Sequence, residues 1–232
     1  MNSFDIYKEI SKRTDGDIYI GVVGPVRTGK STFIKNFMEK LVIPNIKNDY
    51  VKTRTQDELP QSAEGNTIMT TEPKFVPNEA VKISLDGNID LNVRLIDCVG
   101  YIVDGASGHI VDNQPRMVST PWSEQKMPFA QAAELGTQKV IRDHSTIAVV
   151  ITSDGTVTNI PRESYINSEA RVINELKEIN KPFVIVLNSA EPDSENTLKI
   201  AEQMENKYGS RVIVTDCKNL SQEDINTIFE EV

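Results

Sequence analysis

Apolar positions along the chain fall into two rhythms. Short, almost wholly apolar runs, Ile18 to Val23, Ser145 to Thr152, Phe183 to Leu187 and Val212 to Val214, predict strands buried on both faces. Spacings of three and four predict helices over Phe4 to Arg13, Thr32 to Leu41, Phe129 to Arg142, Arg162 to Ile179, Ser194 to Tyr208 and Ser221 to Phe229, the last capped by Ser221. Two further strand-like runs, Lys74 to Leu85 and Leu91 to Cys98, are joined by Asp86-Gly87-Asn88, whose residues suit positive φ, and predict a hairpin. Buried strands alternating with helices predict an α/β fold of three layers: a mostly parallel sheet with one antiparallel hairpin strand and helices on both faces.

Two stretches break the pattern. Pro44 closes the second helix and opens a polar segment, Asn45 to Thr71, with few periodic apolar residues. From Gly100 to Gln125 the pattern fails again, around Gly105, Gly108, Pro115 and Pro121. Segments this long without an element of their own are usually functional. No repeat or low-complexity linker divides the chain, so a single domain over 1–232 is expected.

Composition narrows the partners. The 232 residues are 38% hydrophobic and 25% charged, in the range of a globular domain large enough to bury a core. No apolar run approaches the about 20 residues of a membrane-spanning helix. The N-terminus, Met1-Asn2-Ser3-Phe4-Asp5, lacks the basic-then-apolar layout of a signal peptide, so a cytoplasmic protein is expected. A net charge of −9 argues against a general affinity for nucleic acid. Cys98 and Cys217, the two cysteines, stand at the ends of apolar runs and read as small buried hydrophobes; two histidines, His109 and His144, cannot build a histidine-rich metal centre.

The candidate chemistry centres on Gly24-Pro25-Val26-Arg27-Thr28-Gly29-Lys30-Ser31, a glycine, four free positions, then Gly-Lys-Ser, set between a predicted strand and the helix that Thr32 opens. In a P-loop NTPase, such a loop points its backbone N–H groups inward and, with the positive end of the helix, cradles phosphate oxygens. Lys30 would add a point charge, and the Ser31 hydroxyl would ligate Mg2+. The run Val93 to Ile96 delivers Asp97 to a strand tip, followed by Val99-Gly100. That carboxylate would hold the metal from a second side, and the Gly100 N–H would meet the γ-phosphate. Thr70 and Thr71, just before the hairpin, are candidates for the hydroxyl that ligates Mg2+ and senses the γ-phosphate; spacing does not choose between them. Arg27 fits either a cis arginine that neutralises the transferring phosphoryl or a solvent-facing loop residue. Where many GTPases carry a glutamine after this acidic motif to orient water, the chain has Tyr101.

Base choice is expected to depend on Asn188-Ser189-Ala190-Glu191, after the strand Phe183 to Leu187, with Thr215-Asp216-Cys217-Lys218 as a second edge. Guanine-specific proteins of this class place a lysine and an aspartate where Ser189 and Glu191 stand. Serine cannot stack on a base, and Glu191 is a methylene too long, so adenine or weak selectivity is expected. Trp122 fits either a self-association anchor or a cover over the domain's own core, and Glu169, Glu175, Lys177 and Glu178 read as a solvated helix face.

This order of parts resembles the translation-factor-related GTPases. More closely, Gly-Pro-Val-Arg-Thr-Gly-Lys-Ser, Thr-Thr-Glu-Pro-Lys-Phe and Leu-Ile-Asp-Cys-Val-Gly-Tyr, with Pro121-Trp122, resemble the N-terminal nucleotide-binding domain of the stage IV sporulation protein A family, spore-coat morphogenetic ATPases, along the whole chain. The resemblance implies ATP hydrolysis with Mg2+, coupled to self-polymerisation at the forespore surface in the mother cell. It implies recruitment of other spore-coat morphogenetic proteins, and attachment through a small amphipathic membrane-associated protein that binds regions beyond this length. It matches Lys30 to the family's loop lysine, Asp97 to its Mg2+-side aspartate, and Thr70 with Thr71 to its sensor threonines. A GTPase-type switch, or a scaffold that binds nucleotide with little turnover, are the alternatives that the residues leave open.

Overall fold

A computed structural model describes residues 3–60, 68, 72–85 and 89–232. Helix α1 (Ser3–Arg13) leads through a turn at Asp15 and Gly16 into β1 (Asp17–Val23). The chain then forms α2 (Lys30–Phe37), prolonged by a π turn over Met38–Val42 and a 3-10 turn at Ile43–Asn45. Helix α3 (Asp49–Asp57) precedes the hairpin of β2 (Lys74–Leu85) and β3 (Ile89–Asp97); the predicted turn at 86–88 lies outside the described residues.

Two small hairpins follow, β4 (Ile110–Val111) with β5 (Gln114–Pro115), and β6 (Met117–Thr120) with β7 (Ser123–Pro128). Helix α4 (Phe129–Lys139), with a π turn over Val140–His144, leads to β8 (Ile147–Ser153). The last third alternates regularly: α5 (Arg162–Glu178), β9 (Phe183–Asn188), α6 (Glu195–Tyr208), β10 (Val212–Thr215) and α7 (Gln222–Glu230).

The six long strands form one sheet in the order β10-β9-β8-β1-β3-β2. All neighbours are parallel except β2 and β3. Alternation with period two divides each strand between two cores. Ile147, Val149 and Ile151 of β8 join Phe33, Ile34 and Phe37 of α2 and Ile225 and Phe229 of α7 on one face, while Ala148 and Val150 join Val172, Ile173 and Leu176 of α5 on the other. Both faces are therefore covered, as fully apolar strands require. A third cluster, with Val26, Ile68, Val99, Val103, Phe129 and Tyr165, lies where β1 and β3 end. Chain order reverses at β1, whose successors β3 and β8 lie on opposite sides of it; the crevice beyond the carboxyl ends of such strands is where open α/β sheets place ligands.

Three expectations are corrected. The stretch 45–71 contains α3, whose Asn48 cap accepts from Val51 N at 3.1 Å; with Thr55 its one buried residue, it lacks an apolar stripe to announce it. The stretch 100–125 contains the two hairpins, the first turning through Asp112 and Asn113 at φ of 50° and 60°. Glu169 and Glu175 are not on a solvated face. Glu169 is buried, paired with Arg162 at 2.6 Å and accepting from Tyr208 Oη and Thr152 Oγ1, and Glu175 accepts from Tyr101. Trp122 is half-buried against Gly136 of α4, near the Lys139 ammonium, as a cover for the domain's own core.

Candidate functional site

The loop between β1 and α2 is shaped by what its glycines exclude. Gly24 turns with φ of 135°, and a Cβ there would lie 2.2 Å from the Ile151 carbonyl of the neighbouring strand. Gly29, at φ 93°, is the N-cap of α2 and offers no side chain to the helix's first amides, which leaves those donors for a ligand. A Cβ on Gly100 would meet the Gly24 carbonyl at 2.3 Å and Lys30 Nζ at 2.7 Å, so the chain after Asp97 lies directly against the loop.

Within the loop, the Pro25 carbonyl accepts from Lys30 Nζ at 2.5 Å and from Thr28 Oγ1 at 3.1 Å. Val26 N donates to the Tyr101 carbonyl at 2.9 Å. Lys30 is buried, and burial pulls its pKa down, opposed by Cys98 and Asp97 and reinforced by Arg27. Arg27 holds φ at 62°, costly for a residue with a Cβ, and its guanidinium feels Tyr165. Two cationic side chains on one loop favour an anionic ligand there.

Opposite, Ser31 Oγ donates to Asp97 Oδ2 at 2.6 Å. Burial raises the Asp97 pKa, with Ser31 and Lys30 opposing. A hydroxyl and a carboxylate at this separation, with the hydroxyl on the residue next to Lys30, fit the protein side of a Mg2+ site. Thr70 and Thr71 lie outside the described residues. Among the described residues there is no group of three or more His, Cys, Asp or Glu able to hold a metal by themselves.

A model of the stage IV sporulation protein A ATPase domain matches residues 1–232. The chain belongs to that family. Stage IV sporulation protein A of Clostridioides difficile is 57% identical over 232 residues, that of Bacillus anthracis 54% over 231, and that of Bacillus subtilis 53% over 231. In each case all of this chain is covered but 47% of the relative, so the chain spans about half the length of the curated relatives it matches. Among solved structures, a mutation variant of SsGBP is similar at a TM-score of 0.50 and 12% identity, over 99% of this chain and 60% of that one, a likeness of fold alone.

Against this family setting, several expected roles are filled differently. Asn188 does not face outward towards a base. Its Nδ2 donates to the Thr28 carbonyl at 2.9 Å and its Oδ1 accepts from Cys217 N at 3.0 Å, which makes it a strut between the phosphate loop and the second base-edge loop. Gly100 N donates to Thr137 Oγ1 at 3.2 Å, not into the loop, so contact with a phosphate would require that bond to open. Tyr101 is buried and turned towards α5, where its hydroxyl donates to Glu175 Oε2 at 2.5 Å and Arg171 stacks on its ring at 4.1 Å.

Sequence reasoning missed the acidic group that orders the chain around Ser189. Asp154, just past β8, accepts from Thr156 Oγ1 at 2.6 Å and Thr197 Oγ1 at 2.8 Å. Burial pushes its pKa up, but hydrogen bonds from Ser189, Thr156 and Thr197 outweigh this and hold it low. Ala190 N donates to Thr156 Oγ1 and Glu191 N to Ser189 Oγ, so Ser189 points into this network while Glu191 remains exposed. An aspartate and glycine directly after the apolar strand, Asp154-Gly155, were the available signal.

Proposed function

We propose that this domain binds ATP with Mg2+ and hydrolyses it slowly, and that turnover is coupled to self-assembly of a structural protein at the base of the bacterial spore coat. The observation that carries the chemistry is the Ser31–Asp97 hydrogen bond of 2.6 Å beside buried Lys30, under a loop whose glycines leave no room for a side chain. Lys30 would exchange the Pro25 carbonyl for phosphate oxygens, and the α2 amides would receive the remaining charge. Ser31 and Asp97 would hold Mg2+, with Thr70 or Thr71 completing the set; bound there, the ion neutralises charge on the β- and γ-phosphates. Arg27 would hold the transferring phosphoryl from within the loop.

Adenine is favoured because nothing at the base edge resembles a guanine reader. The lysine position is a serine turned inward, and the acidic position, Glu191, is exposed while its backbone follows the Ser189 network. With no glutamine and with Tyr101 buried, the domain alone should turn over at about 10⁻⁴ to 10⁻² per second. Contacts with further copies, with other spore-coat proteins and with a small amphipathic membrane-associated protein, in the mother cell at the forespore surface, belong to the same proposal.

Competition between ATP and GTP for the purified domain, followed by phosphate release from wild type and Lys30→Ala, tests this reading. ATP preference with release lowered at least about 100-fold in the variant is expected, the scale of losing one transition-state donor. A tenfold preference for GTP would refute the base assignment, and undiminished release from the variant would refute the site.

A further inference from the structure

From Asp97 to Val103 the chain is pinned almost residue by residue. Asp97 closes β3, in register with Val22 of β1 and Lys74 of β2. The side chains of Val99 and Val103 are buried in the third cluster. Tyr101 is held at both ends: its carbonyl accepts from Val26 N of the phosphate loop at 2.9 Å, and its hydroxyl donates to Glu175 of α5 at 2.5 Å. The Ile102 carbonyl accepts from Ser168 Oγ of the same helix at 3.0 Å. A segment tied to the sheet, the loop and α5 cannot swing as a whole without breaking several of these contacts together.

The peptide between Val99 and Gly100 is held differently. Its N–H donates to Thr137 Oγ1 of α4 at 3.2 Å. Thr137 is fully buried, and its own hydroxyl hydrogen goes to the Ala133 carbonyl at 2.8 Å, which leaves its oxygen to accept. Gly100 also stands beside the loop lysine, since a Cβ there would lie 2.7 Å from Lys30 Nζ. Its φ is 93°, and glycine alone moves freely between positive and negative φ. Turning this one peptide plane changes ψ of Val99 and φ of Gly100 and leaves the pinned residues on either side where they are.

We propose that the Val99–Gly100 peptide is the movable part of the triphosphate site and that Thr137 is its latch: a γ-phosphate oxygen beside Lys30 competes with the Thr137 hydroxyl for one N–H, so Thr137 sets how far a triphosphate is preferred over a diphosphate. This rests on the reading of the loop as an ATP site. A diphosphate leaves the N–H on Thr137, whereas a triphosphate must first open that bond. The latch therefore weakens triphosphate binding selectively, while a general disturbance of the fold would weaken both.

Thr137→Val keeps the shape and removes the acceptor; Thr137→Ser keeps the acceptor. Calorimetry of each variant gives the affinities for ADP and for a non-hydrolysable ATP analogue, both with Mg2+. The analogue-over-ADP ratio should rise at least twofold in Thr137→Val, towards the about tenfold worth of one such bond, and stay within twofold of wild type in Thr137→Ser. A smaller rise in Thr137→Val, or an equal rise in Thr137→Ser, overturns the latch. Without nucleotide, amide exchange at Gly100 should quicken at least threefold in Thr137→Val while Val26 and the β8 and β9 amides keep wild-type rates; a smaller effect at Gly100 also overturns it. In wild type the analogue should shift the Gly100 amide resonance and leave Val26 protected. An unmoved Gly100 resonance, or a Val26 amide that loses protection because the whole segment moves, overturns the single-peptide device. Should Thr137→Val lose β8 and β9 protection, this wild-type arm decides by itself. If wild type binds neither nucleotide, the ATP reading falls and the preference with it, while Gly100 exchange still reports whether Thr137 holds the peptide.

Discussion

Tyr101 donates from its hydroxyl to Glu175 Oε2 at 2.5 Å while its carbonyl accepts from Val26 N at 2.9 Å. One residue thus fastens the segment after Asp97 both to α5 and to the phosphate loop. In switch-type GTPases the residue after this acidic motif is a glutamine that serves the attacking water. Here that position faces the opposite way.

Installing the missing glutamine should therefore fail to accelerate hydrolysis. Tyr101→Gln removes a hydrogen bond to a charged group, about 1.5–3 kcal/mol, and the Arg171 stacking on the ring, about 0.5–1 kcal/mol, without delivering an amide to the phosphates. A lower urea midpoint with no gain in phosphate release is expected; a tenfold faster rate would show that the side chain can turn back.

The Asn188 strut supports a second prediction. Asn188→Ala leaves the Thr28 carbonyl and the Cys217 N–H buried without this partner, at about 1–3 kcal/mol for each group. Asn188→Asp should be worse than its shape implies, because an oxygen would then face the Thr28 carbonyl. Equilibrium urea unfolding ranks the two, and nucleotide affinity measured alongside should fall in both.

Asp97 makes stability and function pull apart. Its folded pKa is raised, chiefly by burial, so its contribution to stability is complete below the unfolded value of about 3.9 and is lost as pH rises through the folded value. At neutral pH this burdens the nucleotide-free fold, because the buried carboxyl must either carry its charge out of water or take up a proton. Asp97→Asn retains an acceptor for Ser31 and removes that burden, so its thermal midpoint without nucleotide should exceed that of wild type at pH 7 and converge on it near pH 4. With Mg2+ and ATP the order should reverse. Melting curves at several pH values, with and without nucleotide, check both signs.

Glu169 accepts four hydrogen bonds from three residues: Oε2 from Arg162 Nη1 and Thr152 Oγ1, and Oε1 from Arg162 Nη2 and Tyr208 Oη. Glu169→Ala would leave a largely buried guanidinium without its counter-charge, at about 3–5 kcal/mol. Glu169→Gln, which keeps the shape, should cost less. Chemical denaturation of both variants separates lost charge from lost packing.

Much of this architecture was legible because burial on two faces writes itself as unbroken apolar runs: β1, β8 and β9 follow Ile18 to Val23, Ser145 to Thr152 and Phe183 to Leu187 within a residue or two. Helix α3 was not, since a helix that buries little beyond Thr55 carries no stripe. Spacing brought Ser31 and Asp97 to one site, and the structure joins them by a direct bond. It could not give side-chain direction. Asn188, Ser189 and Tyr101 each occupy a position that reads as ligand-facing, yet each turns to partners in the protein, Cys217, Thr197 and Glu175, which lie 29, 8 and 74 residues away along the chain. Glu169 misled for the same reason: a charge at helical spacing reads as solvated until its counter-ion is found.

Helix α1 lies against α7, where Tyr7 donates to Asn226 Oδ1 at 2.6 Å and meets the Phe229 ring edge-on, while Arg13 reaches the Val232 carbonyl. Pulled from residues 3 and 232, the molecule would load this side-chain clasp before any rung of the sheet. The first extension would then peel two surface helices apart, leaving α2, which carries Lys30, and β3, which carries Asp97, unloaded.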